Sequence, residues 1–176
     1  METKKIFQIR KSVRSYTGKV TDEQIQEVLF AAQAAPVGMA KYDTIHLTVI
    51  KDRALLDEID QAAAKFFGDP SKHPLYGAPV LIVVSTQLDA QGNNNVHYAN
   101  AAMIIHNMAL AAIDLGLGSV DIYGAVAALN QNPALVAKLN LPDGFVPVGA
   151  TAFGETTETF EEREIPMNRI ATDVIG

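Results

Sequence analysis

Apolar residues along the chain change their spacing several times, and each change marks an element. Ile6, Phe7 and Ile9 suit a short helix that ends near Arg10-Lys11-Ser12. Thr21 and Gln24 stand in the capping-box relation, each side chain able to satisfy the other's backbone N–H. Ile25, Val28, Leu29 and Ala32 then recur at helical spacing, up to a stop before Pro36-Val37-Gly38. Residues 45–50, Ile-His-Leu-Thr-Val-Ile, are β-branched and half alternating, which predicts a strand. Asp52 can cap a third helix with Leu55, Leu56, Ile59, Ala62, Ala63 and Phe66 on its buried side, and Gly68-Asp69-Pro70 breaks it. Residues 79–85 form a continuous apolar run, as expected of a central strand covered on both faces. A polar loop at 91–95 leads into the longest predicted helix, 96–115, which is Ala-rich, apolar nearly all round and therefore expected to be buried.

Gly116-Leu117-Gly118 ends that helix. A short strand at 119–122, helices around 125–129 and 133–139, and a strand at 145–153 complete the body, with Pro133 at a favourable first-turn position. The tail, 155–176, is charged and has little to bury alone, so it either frays or wraps a partner subunit. With no internal repeat and no linker, residues 1–176 read as one domain.

Composition narrows the function by exclusion. A chain of 176 residues suits one domain that buries about 70% of its unfolded surface. No stretch approaches the roughly 20 apolar residues of a membrane span, and the N-terminus lacks the apolar run of a secretory signal. The absence of cysteine removes disulfides, iron–sulfur clusters, thiol redox chemistry and Cys-based zinc sites together. The chain is thus expected to be cytoplasmic. A net charge of −6 disfavours nucleic acid or an anionic membrane as a partner. Yet six of the 14 positive residues fall between Lys4 and Lys19, a segment that either attracts an anion or forms a solvated face.

Familiar motifs fail on inspection. Gly116-Leu117-Gly118 closes a helix and meets Asp121 where a dinucleotide fingerprint needs its third glycine. Gly149 and Gly154 have P-loop spacing, but Glu155-Thr156 replaces the residues that would hold phosphate and magnesium. His46, His73, His97 and His106 lack metal-ligand spacing, so no metal site is expected, and no serine sits in a nucleophile elbow. Hard chemistry would have to come from a bound cofactor.

Four segments together resemble the nitroreductase family. Ile9-Arg10-Lys11-Ser12-Val13-Arg14-Ser15-Tyr16 is similar to the family's opening signature, and its chemistry suits a phosphate. Arginine offers a planar fork to phosphate oxygens, and a hydroxyl and further cations complete a cage. The resemblance implies that Arg10, Lys11, Ser12 and Arg14 bind the phosphate and ribityl chain of FMN. Pro36, Val37, Gly38, Met39 and Ala40 resemble a loop that lies over the flavin from the partner subunit. The family usually has Ser at 37, Asn at 40 and Gln at 42, followed by Pro-Trp, where this chain has Val37, Ala40 and Tyr42 and no tryptophan. Ala40 cannot give the flavin's pyrimidine edge the side-chain hydrogen bond of an asparagine, so main-chain groups or another residue must replace it. Tyr76-Gly77-Ala78-Pro79 is similar to the entry of the family's central strand. Residues 115–124 resemble its helix end, strand and turn, which assigns Ile122, Tyr123 and Gly124 to the isoalloxazine ring. Backbone N–H donation there would stabilise charge on the reduced ring. Arg163 stands where the family often places a late phosphate-binding cation, though Glu161, Glu162 and Glu164 surround it.

The resemblance implies an α+β fold with a mixed, mainly antiparallel sheet flanked by helices, in an intertwined homodimer. It implies an FMN-dependent, NADH- or NADPH-driven oxidoreductase working in two half-reactions. Hydride passes to flavin N5, and a small-molecule oxidant such as a nitro compound or quinone then takes the electrons. No catalytic side chain is required. The alternatives are a flavoenzyme of the same fold with a specialised substrate (an enone, a halogenated aromatic or a flavin) and a non-catalytic flavin-binding or sensor protein.

Overall fold

The structure, a computed structural model, describes residues 2–176. Helix α1 spans Thr3–Ile9, and α2 spans Asp22–Gln33 behind a complete Thr21/Gln24 capping box. Strand β1 is Ile45–Ile50, and α3 is Arg53–Phe66, capped by Asp52 through the Leu55 N–H. Strand β2 is Val80–Gln87, α4 is Asn95–Asp114 and β3 is Gly118–Ile122. The short helices α5, Gly124–Asn130, and α6, Pro133–Ala137, lead to β4, Phe145–Gly154. Each strand and long helix thus lies within two residues of where apolar spacing puts it. Among the described residues no helix is long and apolar enough to cross a membrane.

The strands form one sheet in the order β1-β2-β4-β3, and every neighbouring pair is antiparallel. Here the expectation of a mixed sheet is corrected. Strands β2 and β3 are joined through α4, a crossover that could have made them parallel neighbours. Instead β4 returns from α6 into the gap between them and runs against both. The parallel pairing found among the described residues is a single bridge, Ser12 to Ser119, where the chain after α1 lies along the edge of β3. The Val13 N–H donates to the Ser119 carbonyl at 2.8 Å, and the Val13 side chain is fully buried.

Strand periodicity divides the core into two. Leu81 and Val83 of β2, with Val120 and Ile122 of β3, face α3 and α5; Val80, Ile82 and Val84 face α2 and α4. A strand apolar at every position is therefore what a three-layer arrangement needs at its centre. Helix α4 is less covered than its composition suggests. Ala101, Ile104, Met108, Ala112 and Ile113 are buried, but Ala99, Ala102, Met103 and His106 form an exposed flank. A helix lying on a sheet can bury only one side within a single protomer. Phe30 of α2 is likewise 72% exposed.

The tail also departs from expectation in part. Its first portion folds back onto its own chain: the Thr17 N–H donates to the Glu155 carbonyl, the Thr156 hydroxyl donates to the Ser15 carbonyl, and Lys5 pairs with Glu162. Residues 164–176 form no helix or strand and are exposed throughout, including Met167, Ile170, Val174 and Ile175.

Candidate functional site

Helix α1 stops at Arg10, whose backbone is extended, and the following residues are pinned to β3 by the Ser12–Ser119 bridge. This places Arg10 beside Asp121. Burial pushes the Asp121 carboxyl above the usual carboxylate range, while Arg10 and His106 pull it back down. The Arg163 N–H donates to the Gln8 carbonyl at 3.3 Å, so the late arginine joins the end of α1. Its Nε is buried without a hydrogen-bond partner. A buried cationic donor left unpaired is costly, and a phosphate oxygen would satisfy it. The backbone of Arg163 is thus held at Gln8, two residues before Arg10, and the chemistry of Arg10, Lys11, Ser12 and Arg163 fits a phosphate.

Two members of the segment are engaged elsewhere. Lys11 Nζ lies 2.8 Å from Glu158, which also accepts from the Arg14 N–H at 3.0 Å. The hydrogen bond from Lys11, followed by that from Arg14, holds the Glu158 carboxyl below its ordinary range. The Arg14 guanidinium lies 5.8 Å from the centre of the Tyr76 ring and donates to the Ser12 carbonyl at 3.4 Å. Below this, burial and then Glu158 push the Tyr16 hydroxyl upward from its ordinary value, and it donates to the Val13 and Ala152 carbonyls.

The turn after β3 continues the same strand. Ile122 is buried, Tyr123 is 75% exposed, and a Cβ added to Gly124 would come within 2.4 Å of the Phe67 ring. Only glycine allows that approach.

Pro36 to Ala40 form a turn on the other side of α4. The Gly38 N–H donates to Oδ1 of Asn100 at 3.0 Å, and Asn100 is only 3% exposed. Met39 and Ala40 adopt left-handed backbone, with φ of 56° and 54°, and the Met39 side chain is exposed. Left-handed non-glycine residues store strain that the surroundings must hold. Asn100 supplies that hold. Six positions separate Asn100 from His106, which puts the two side chains about 120° apart around α4. Within one protomer this turn and the Arg10–Asp121 pair therefore meet different sides of α4. Neither Asn100 nor Asp121 is singled out by periodicity; the available signal for Asn100 was a lone amide on the buried side of an Ala-rich helix.

Asp121 gives a test of this geometry. A carboxyl whose folded-state pKa lies above its unfolded value stabilises the fold when protonated, and that stability is lost as pH rises. Asp121→Asn should raise Tm slightly at pH 7, the residue being exposed, and change it little near pH 3. Thermal melts at the two pH values check this; a loss of stability at pH 7 would contradict the placement.

The nitroreductase family profile matches residues 8–155. No protein of curated function matches. A nitroreductase with bound FMN from Desulfitobacterium hafniense has a TM-score of 0.82 at 23% identity, covering 99% of this chain and 100% of that one. A Desulfovibrio desulfuricans protein in complex with FMN has a TM-score of 0.76 at 27% identity, covering 99% and 98%. A Bacteroides thetaiotaomicron structure, named NADH dehydrogenase/NAD(P)H nitroreductase, has a TM-score of 0.71 at 26% identity, covering 96% and 95%. With the profile spanning the body of the fold from α1 to the end of β4, the chain belongs to the nitroreductase family.

Proposed function

We propose that the chain is an FMN-dependent oxidoreductase that works as a homodimer, takes its electrons from NADH or NADPH and passes them to a nitro compound, quinone or similar small oxidant. The observation that carries this reading is the buried, unpartnered Nε of Arg163, whose backbone N–H bonds Gln8 in the last turn of α1, just before Arg10, Lys11 and Ser12. FMN bound in the Desulfitobacterium and Desulfovibrio structures supports it, and the name of the Bacteroides structure supports the choice of reductant. Bound FMN supplies a ring nitrogen, N5, able to accept and return a hydride. The residues of this chain have three tasks. Arg10, Lys11, Ser12 and Arg163 hold the phosphate, with Glu158 yielding Lys11 to it, and Arg14 reaches the ribityl chain. Ile122, Tyr123 and Gly124 present main-chain groups to the ring. Pro36, Val37, Gly38, Met39 and Ala40 cover the ring of the partner's site, which is why Asn100 holds them on the far side of α4.

The purified protein should be yellow and should release FMN on denaturation. Anaerobic stopped-flow mixing with NADPH, and separately with NADH, should bleach the visible absorption band of the flavin within seconds for at least one of them. Flavin that stays oxidised for minutes with both would make the protein a flavin carrier, and failure to take up FMN would remove the reading.

A further inference from the structure

Beyond α3 the chain passes through residues 67–77 before entering β2. Gly68, Tyr76 and Gly77 take left-handed backbone there, with φ of 69°, 55° and 74°. Asp60, 8% exposed on the inner side of α3, fastens this loop: it bonds His73 Nδ1 and accepts from the Leu75 N–H, both at 2.8 Å. Phe67, Lys72, His73, Pro74 and Tyr76 line a cleft of about 380 Å³. His73 and Tyr76 also border a neighbouring space of about 570 Å³ that reaches Arg14.

The walls combine aromatic faces with two cations outside any close ion pair, Lys72 within the field of Asp69 and Arg14 within that of Glu158. Lys72 Nζ lies 5.8 Å from the centre of the Phe67 ring, and the Arg14 guanidinium lies 5.8 Å from that of Tyr76. The carboxylates nearby are taken: Asp57 pairs with Arg53, Asp60 holds His73, and Asp69 is bonded by Ser71. Among the described residues neither Lys72 nor Arg14 forms an ion pair. Phe67 also lies against Gly124, so the cleft opens beside the turn proposed for the flavin ring.

We infer that this cleft binds a planar aromatic anion, an arene or quinone carrying a carboxylate or sulfonate, and that the oxidant of the proposed reaction belongs to this class. The ring stacks on exposed surface of Phe67 or Tyr76, and the anionic group meets Lys72. A neutral arene gains only the ring contact; the anion adds a charge-assisted hydrogen bond. The role as oxidant rests on the flavin reading, whereas binding itself does not.

Calorimetric titration of 2-naphthoate and 2-naphthamide, into both the FMN-loaded and the flavin-free protein, separates the possibilities. The naphthoate should bind at least about tenfold more tightly than the amide in both forms. Lys72→Met, a change at an exposed position, should remove most of that preference. Lys65→Met, on α3 outside the cleft, should leave it intact. Equal affinities, or a preference that survives Lys72→Met, would overturn the inference. Naphthoate binding that FMN abolishes would make the cleft part of the flavin's own seat and overturn the assignment to the oxidant. A protein that takes no FMN would defeat the proposed function, while the titration of the flavin-free form would still decide the cleft.

Discussion

Arg10→Ala should weaken FMN binding at least about tenfold and leave riboflavin, which has no phosphate, nearly unchanged. A charge-assisted hydrogen bond contributes roughly 1.5–3 kcal/mol, and loss of one alone reaches that factor. Arg163→Ala should behave in the same way, since its buried Nε has no hydrogen-bond partner among the described residues. Arg10 carries a second role that must be separated from the first. It offsets the desolvation of Asp121, so removing it takes away the largest interaction that favours that carboxylate. Arg10→Ala is therefore expected to lower Tm at neutral pH, and adding Asp121→Asn should restore Tm without restoring FMN affinity. Lys4→Ala and Lys19→Ala, from the same positive run, serve as controls, because exposed charges are screened at physiological salt. Equal small losses from Arg10, Lys4 and Lys19 would reduce the segment to a solvated face. Fluorescence titration of the flavin-free protein with FMN and riboflavin gives the two affinities.

What the sequence made legible was whatever local spacing determines. The continuous run at residues 79–85 could only be a strand buried on both sides, and α2 and α3 carry their own caps at Thr21 and Asp52. Sheet order was less accessible, because nothing local in residues 145–153 says that β4 enters between β2 and β3. The site divided along the same line. Arg10, Lys11 and Ser12 are contiguous, so their fitness for a phosphate could be proposed from the sequence alone. Arg163 could be named from its position despite the surrounding glutamates, but only the return of the tail shows its backbone on Gln8 and Glu162 facing Lys5. The engagement of Lys11 by Glu158 spans far too much of the chain for any periodic pattern to reveal. Asn100 was invisible for a different reason: a single amide in an apolar helix breaks the pattern without saying which carbonyl or N–H it serves.

The exposed flank of α4 leads to the other large expected effect, since on the proposed reading this surface would serve both assembly and completion of the site. Ala99, Ala102 and Met103 leave apolar surface uncovered along a 20-residue helix, and Phe30 adds to it. Ala102 is exposed in the protomer, and lysine is nearly as good a helix former as alanine, so Ala102→Lys should cost the isolated fold no more than about 0.5 kcal/mol. If two copies pack through this flank, the substitution instead places a charge inside an apolar interface, twice in a symmetric dimer, with no acid built to receive it. Obligate interfaces commonly bury more than about 2,000 Å², and a buried unpaired charge at the centre of one is enough to break it. The Pro36–Ala40 turn and the Arg10 cluster lie on different flanks of α4, so a protomer alone cannot bring them together. Ala102→Lys should therefore convert the dimer to monomer and reduce FMN affinity at least about tenfold, with circular dichroism unchanged. Sedimentation velocity with detection at both protein and flavin wavelengths reads the two outcomes together. A variant that stays dimeric would move the interface elsewhere, and a monomer that keeps its flavin would show that one chain completes the site unaided.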